Sequence, residues 1–177
     1  EISSAIWSAL KGKDYVEEII VPTEQKSWQQ ALGDNPLVNL DNRLTLNKQQ
    51  ALAFSQLLFQ EGFNVWLLEG VTGSGKTEIY LQYIEEVLKK GKQVLVLVPE
   101  IGLTPQTVRR FQARFNVEID VLHSNLNDTQ RLNVWERART GQSAILIGTR
   151  SALFTQFSNL GLIILDEEHD GSFKQQD

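Results

Sequence analysis

Residues 70–77 read GVTGSGKT, and they restrict the architecture of this chain more than any other stretch. The spacing is G-x-x-x-x-G-K-[ST], in which glycines let the backbone curl until successive N–H groups point into one concavity. Such a loop works only between two fixed elements. The apolar run VWLL at 65–68 precedes it and reads as a buried strand over 65–69. After Lys76, residues Ile79, Tyr83, Ile84, Val87 and Leu88 form one helical stripe that stops at Gly91. A helix N-terminus placed there adds partial positive charge, so the loop is suited to phosphate. Gly70, Thr72, Gly73, Ser74 and Gly75 would line it, Lys76 can reach the β- and γ-phosphates, and the Thr77 hydroxyl can ligate Mg²⁺. The alternative is a glycine-rich turn carrying a surface lysine.

Further short aliphatic runs, at 94–98 (VLVLV), 144–147 (AILI) and 162–165 (LIIL), lack in/out alternation, as strands covered on both faces do. A weaker strand candidate spans 118–122. Helices alternate with them. Thr104 reads as an N-cap with Pro105 at the first helical position, and Val108, Phe111 and Phe115 line one side. A third pattern over 128–139 places Leu132 and Trp135 inward and ends near Gly141. Upstream, Asn47 and Gln50 have capping-box spacing for a helix carrying Ala51, Phe54 and Leu58. Alternating strands and helices predict an α/β fold, a three-layer and mostly parallel sheet.

The strand at 162–165 opens onto DEEH at 166–169. Adjacent carboxylates are costly at a strand tip unless positive charge faces them. Strand tips of a parallel sheet face one crevice, so Asp166 can hold Mg²⁺, partly through water, opposite Thr77. Glu167 can polarise an attacking water. An acidic turn with no ligand is the alternative.

Composition bounds the rest. With 41% hydrophobic and 22% charged residues, the 177-residue chain can bury a core. It has no Cys, hence no disulfide or thiolate zinc site, and no apolar run long enough to span a bilayer. A net charge of −5 argues against broad electrostatic nucleic-acid binding but leaves room for a narrow track of hydroxyls, backbone N–H groups and a few cations. Residues 1–40, with Pro22, Pro36 and the turn-rich GDNP at 33–36, read as a linker and the tail of a preceding domain, apart from a β-like run at 16–21. Residues 41–177 read as the α/β lobe. The chain has no Met and begins at Glu1, as a piece of a longer protein would.

GVTGSGKT followed by DEEH resembles the DExH-box superfamily 2 helicases. VPEIGLTPQ at 98–106, HS at 123–124, GTRSALF at 148–154 and DEEHDGSFKQQ at 166–176 are similar, more narrowly, to the bacterial primosomal helicases that restart replication. The likeness runs from about Leu44 to the last residue. It implies a RecA-like first motor lobe that binds ATP and Mg²⁺, in a cytoplasmic bacterial protein. It also implies single-stranded and forked DNA, single-stranded DNA-binding protein and other primosome proteins as partners, with no membrane.

By the resemblance, Gln50 reads the adenine edge, although a purely capping role remains open. Asp166 and Glu167 serve metal and water, and His169 links nucleotide state to DNA. Thr104, Gln106, Thr149 and Arg150 become DNA contacts, with Phe173 and Lys174 in an aromatic loop where the chain ends. An ordinary turn histidine, helix caps and strand-end loops are the plainer readings. The family's second lobe, its arginine finger and its zinc-binding cysteines are not in this sequence. The lobe is therefore expected to bind nucleotide but barely hydrolyse it. Alternatives are another superfamily 2 motor such as a branch-migration helicase, a non-helicase P-loop enzyme such as a small-molecule kinase, and an interaction module with a degenerate site.

Overall fold

The computed structural model describes residues 25–58, 62–71 and 73–166, together with Leu10 and Gly12. In chain order its helices are α1 (Trp28–Leu32), α2 (Lys48–Leu58), α3 (Lys76–Lys89), α4 (Pro105–Arg114) and α5 (Asp128–Arg139). The strands are β1 (Gln93–Leu97), β2 (Ile119–Leu122), β3 (Ile145–Gly148) and β4 (Leu160–Leu165). All pair in parallel, in the order β2-β3-β1-β4. The sheet separates two apolar layers. On one face Val94, Val96, Ile145 and Ile147 meet Leu81, Ile84 and Leu88 of α3 and Phe111 of α4. On the other, Leu95, Leu97 and Leu146 meet Ala152, with Val134 of α5 packed alongside. This is the α/β, three-layer arrangement that the alternating runs predict.

Helix boundaries follow local chemistry. Thr104 Oγ1 accepts from the Thr107 N–H at 3.2 Å and caps α4 ahead of Pro105. Asn127 and Gln130 form a reciprocal capping box at the start of α5. The stripe of α3 is buried as its spacing requires, with Ile84 fully enclosed.

Three expectations need correction. The run 65–68 is not a strand: residues 63–71 are irregular, and Val65 and Leu67 are 82% and 71% exposed. Apolar character signals a wish for burial, but extension becomes a strand only where a neighbour's N–H and C=O groups are in reach. Next, Leu132 and Trp135 do not point inward but are 55% and 41% exposed. The inward line of α5 is Arg131, Val134 and Ala138, a narrower i, i+3, i+7 stripe that suits close approach to the sheet. Finally, β4 is not covered on both sides. It is one of the sheet's two edge strands, and Leu160, Ile163 and Leu165 on it are exposed.

The packed unit also reaches upstream of residue 41. Trp28 and Val38 belong to the buried core, the Trp28 N–H donates to Gly141 O at 2.9 Å, and Val38 bridges antiparallel to Phe115. The β-like run at 16–21 lies outside the described residues.

Candidate functional site

The loop before α3 is built on left-handed glycines. Gly73 has φ 80° and Gly75, the N-cap of α3, has φ 81°. At Gly75 the positive φ is what favours glycine; a Cβ there would also displace the Gln50 amide that reaches the loop. Gln50 reaches the loop from the first turn of α2, where its Nε2 donates to Ser74 O at 3.0 Å. Its Oε1 meanwhile accepts from the Asn47 N–H at 2.8 Å, and its own N–H donates to Asn47 Oδ1 at 3.0 Å. The capping box is therefore real, and the same residue also touches the loop. Lys76 curls back so that Nζ donates to the carbonyls of Gly70 and Val71. Thr72 lies outside the described residues.

Across from the loop, Asp166 follows β4, its N–H donating to Leu97 O at 2.9 Å. Its Oδ2 accepts from Tyr80 Oη at 3.1 Å. Tyr80 stands one turn beyond Thr77 on α3, and the Thr77 side chain also acts on its hydroxyl. Burial, and then the negative charge of Asp166, push the Tyr80 hydroxyl far above the usual phenol range, so it stays a protonated donor. Thr77 and Asp166 thus converge on one phenol from two elements. Their donor set, a hydroxyl and a carboxylate, is all oxygen and suits a hard cation such as Mg²⁺. Glu167 and His169 lie outside the described residues, as do Phe173 and Lys174.

A second concavity opens at the C-terminal ends of β1, β2 and β3. It is a cavity of about 610 Å³ lined by Glu100, Ser124, Arg131, Thr149, Arg150 and Ser151, with Val98, Pro99 and Ile101. Thr149 is buried and Arg150 is exposed, and both line it. Thr104 and Gln106 do not; they sit exposed on the first turn of α4. Sequence reasoning missed Arg131 and Tyr80. Arg131 Nε is buried without a hydrogen-bond partner, a cost that an anion in the cleft would relieve. In sequence Arg131 reads as one more surface cation of a polar helix. Tyr80 reads as one more apolar position beside the stripe of α3.

Among known proteins, a family profile described as DEAD/DEAH box helicase matches residues 47–177. Over its whole length the chain is 81% identical to the replication restart protein PriA of Haemophilus influenzae, of which it spans 24%. Over 81% of its length it is 51% identical to the replication restart protein PriA of Synechocystis, spanning 17% of that protein. The chain thus covers about a quarter or less of these relatives. A solved structure of RecG bound to a three-way DNA junction superposes with a TM-score of 0.62 at 29% identity, over 71% of this chain and 18% of that one. The fold is accordingly RecA-like. Since the matched span covers well over half the chain and contains the glycine loop, the β4 tip and the cleft, the chain belongs to the DEAD/DEAH box helicase family.

Proposed function

We propose that this chain is the first, nucleotide-binding motor lobe of an ATP-dependent DNA helicase that restarts replication. ATP phosphates lie over the loop at 70–77, served by Lys76 and by backbone N–H groups including those of Gly73, Ser74 and Gly75. Gln50 meets the adenine edge. Thr77 and, partly through water, Asp166 hold Mg²⁺, which when bound offsets negative charge on the β- and γ-phosphates. Glu167 polarises the attacking water, and His169 passes nucleotide state to the DNA side. A single strand crosses Thr104, Gln106, Thr149 and Arg150, with Phe173 stacking on a base and Lys174 meeting phosphate.

The observation that carries this reading is the tie from α3 to the tip of β4. Tyr80 holds Asp166 opposite the loop helix, where a nucleotide-bound cation needs a carboxylate. Likeness to the PriA proteins supports the wider role: 3′ to 5′ movement on single-stranded and forked DNA, in the bacterial cytoplasm, with single-stranded DNA-binding protein and primosome proteins. The lobe by itself is expected to bind nucleotide and barely turn it over, because an arginine finger contributes several orders of magnitude in rate. The RecG likeness favours a branch-migration motor as a second reading, but 29% identity carries less weight than 81% over the whole chain.

Titration with a fluorescent ATP analogue, with and without Mg²⁺, tests the proposal. Mg²⁺ should tighten binding, and Lys76→Ala should weaken it about 10-fold or more. Equal binding by both proteins in both conditions would overturn it.

A further inference from the structure

We propose that Tyr80 is a positioning residue for the metal-nucleotide site, fixing the Asp166 carboxylate in place before any cation arrives. The inference rests on the reading of Thr77 and Asp166 as the Mg²⁺ side of that site. Three observations support it. Tyr80 is spaced i, i+3 from Thr77 on α3, so both side chains rise from the same helical face. Its ring stacks on Phe111 of α4, centroids 6.5 Å apart and planes within 15°, and Phe111 is itself only 1% exposed. The phenol is thus braced on a buried neighbour and its oxygen has a fixed address. That oxygen donates to Asp166 Oδ2 at 3.1 Å.

The choice of a phenol has consequences. Among the described residues no Lys or Arg forms an ion pair with Asp166. A cation there would hold the carboxylate by charge and compete with Mg²⁺ for it. A neutral O–H donor restrains one oxygen and leaves the carboxylate's negative charge available to a cation. Partners of this kind, which hold a ligand rather than touch the metal, commonly contribute 10- to 100-fold in metal affinity. Packing alone would explain the aromatic ring at position 80 but not the hydroxyl, since phenylalanine would stack on Phe111 equally well.

The substitution Tyr80→Phe keeps the ring and removes only the donor. Mn²⁺ binding to the 177-residue chain saturated with a non-hydrolysable ATP analogue can be followed by electron paramagnetic resonance. Tyr80→Phe should weaken Mn²⁺ on the order of 10-fold. Nucleotide affinity in EDTA and the thermal unfolding of the metal-free chain should stay near wild type. In Asp166→Asn, adding Tyr80→Phe should change nothing further, because Tyr80 acts through that carboxylate. If Tyr80→Phe binds Mn²⁺ like wild type while Asp166→Asn does not, Tyr80 is packing only and this inference falls. If wild type itself takes up no Mn²⁺ with nucleotide, the underlying metal-site reading fails instead, and this inference with it.

Discussion

Gln50 makes contacts in two directions, and a single-atom change can separate them. Its Oε1 and backbone N–H complete the capping box with Asn47, while Nε2 holds the Ser74 carbonyl of the glycine loop. Gln50→Glu keeps the acceptor and loses the donor. Stability should therefore stay within about 0.5 kcal/mol of wild type, whereas preference for ATP over GTP should decline if Nε2 serves the base. Gln50→Ala loses the cap as well and should cost about 0.5–2 kcal/mol in urea denaturation. The capping pair was legible because its partners are three residues apart. The loop contact was not, because Ser74 lies 24 residues away and nothing in local spacing announces it. Gly75 illustrates the same divide: its place in the motif is plain, but the Gln50 amide that packs beside it appears only in three dimensions.

At the level of elements, α3 carries a second buried face that its sequence disguises. Glu78, Gln82 and Glu85 would pass for a solvated stripe, yet all are buried. Arg114 of α4, 1% exposed, meets Glu78 at 2.9 Å and also donates to Asn42 O at 2.6 Å. Gln82 donates to Glu78 Oε1 and to Leu44 O, and Arg43 pairs with Glu85 at 3.6 Å. The group fastens the chain around residues 42–44 to two helices. Arg114→Met should cost about 3–5 kcal/mol by stranding the Glu78 carboxylate. The double variant Glu78→Met/Arg114→Met should lose far less than the sum of its single changes, in urea denaturation of all four proteins. Strands β1 and β3 were readable because both faces are apolar. The run 65–68 has the same letters and no partner, so composition alone misassigned it. Leu132 and Trp135 failed differently: the larger side chains of α5 stay outside while Val134 and Ala138 fit against the sheet.

At the scale of the molecule, exposed apolar side chains are spread over several elements, and two groups of them follow the open edge strand and one irregular segment. Leu160, Ile163 and Leu165 lie along β4, while Phe63, Val65, Trp66, Leu67 and Val71 lie in the segment 63–71. Free strand edges and exposed aliphatics invite association. The chain should therefore self-associate as its concentration rises. Val65→Lys/Leu67→Lys should reduce that association in sedimentation velocity while shifting unfolding by no more than about 0.5 kcal/mol per site. The three-layer plan was visible from the alternation of runs and stripes. Which edge would stay open was not, because strand order depends on packing between distant segments.

The lysine folded onto the Gly70 and Val71 carbonyls bears on how any measured affinity is understood. The Lys76 ammonium is seated on two carbonyl oxygens of the loop. An anion arriving there takes part in an exchange: it must recruit the ammonium and leave two carbonyls to find other donors. Its dissociation constant is then a difference between two occupied states of the same lysine. Weak binding would be compatible with a fully formed loop, and a change that loosened Lys76 from its carbonyls would tighten binding without adding a single contact to the ligand.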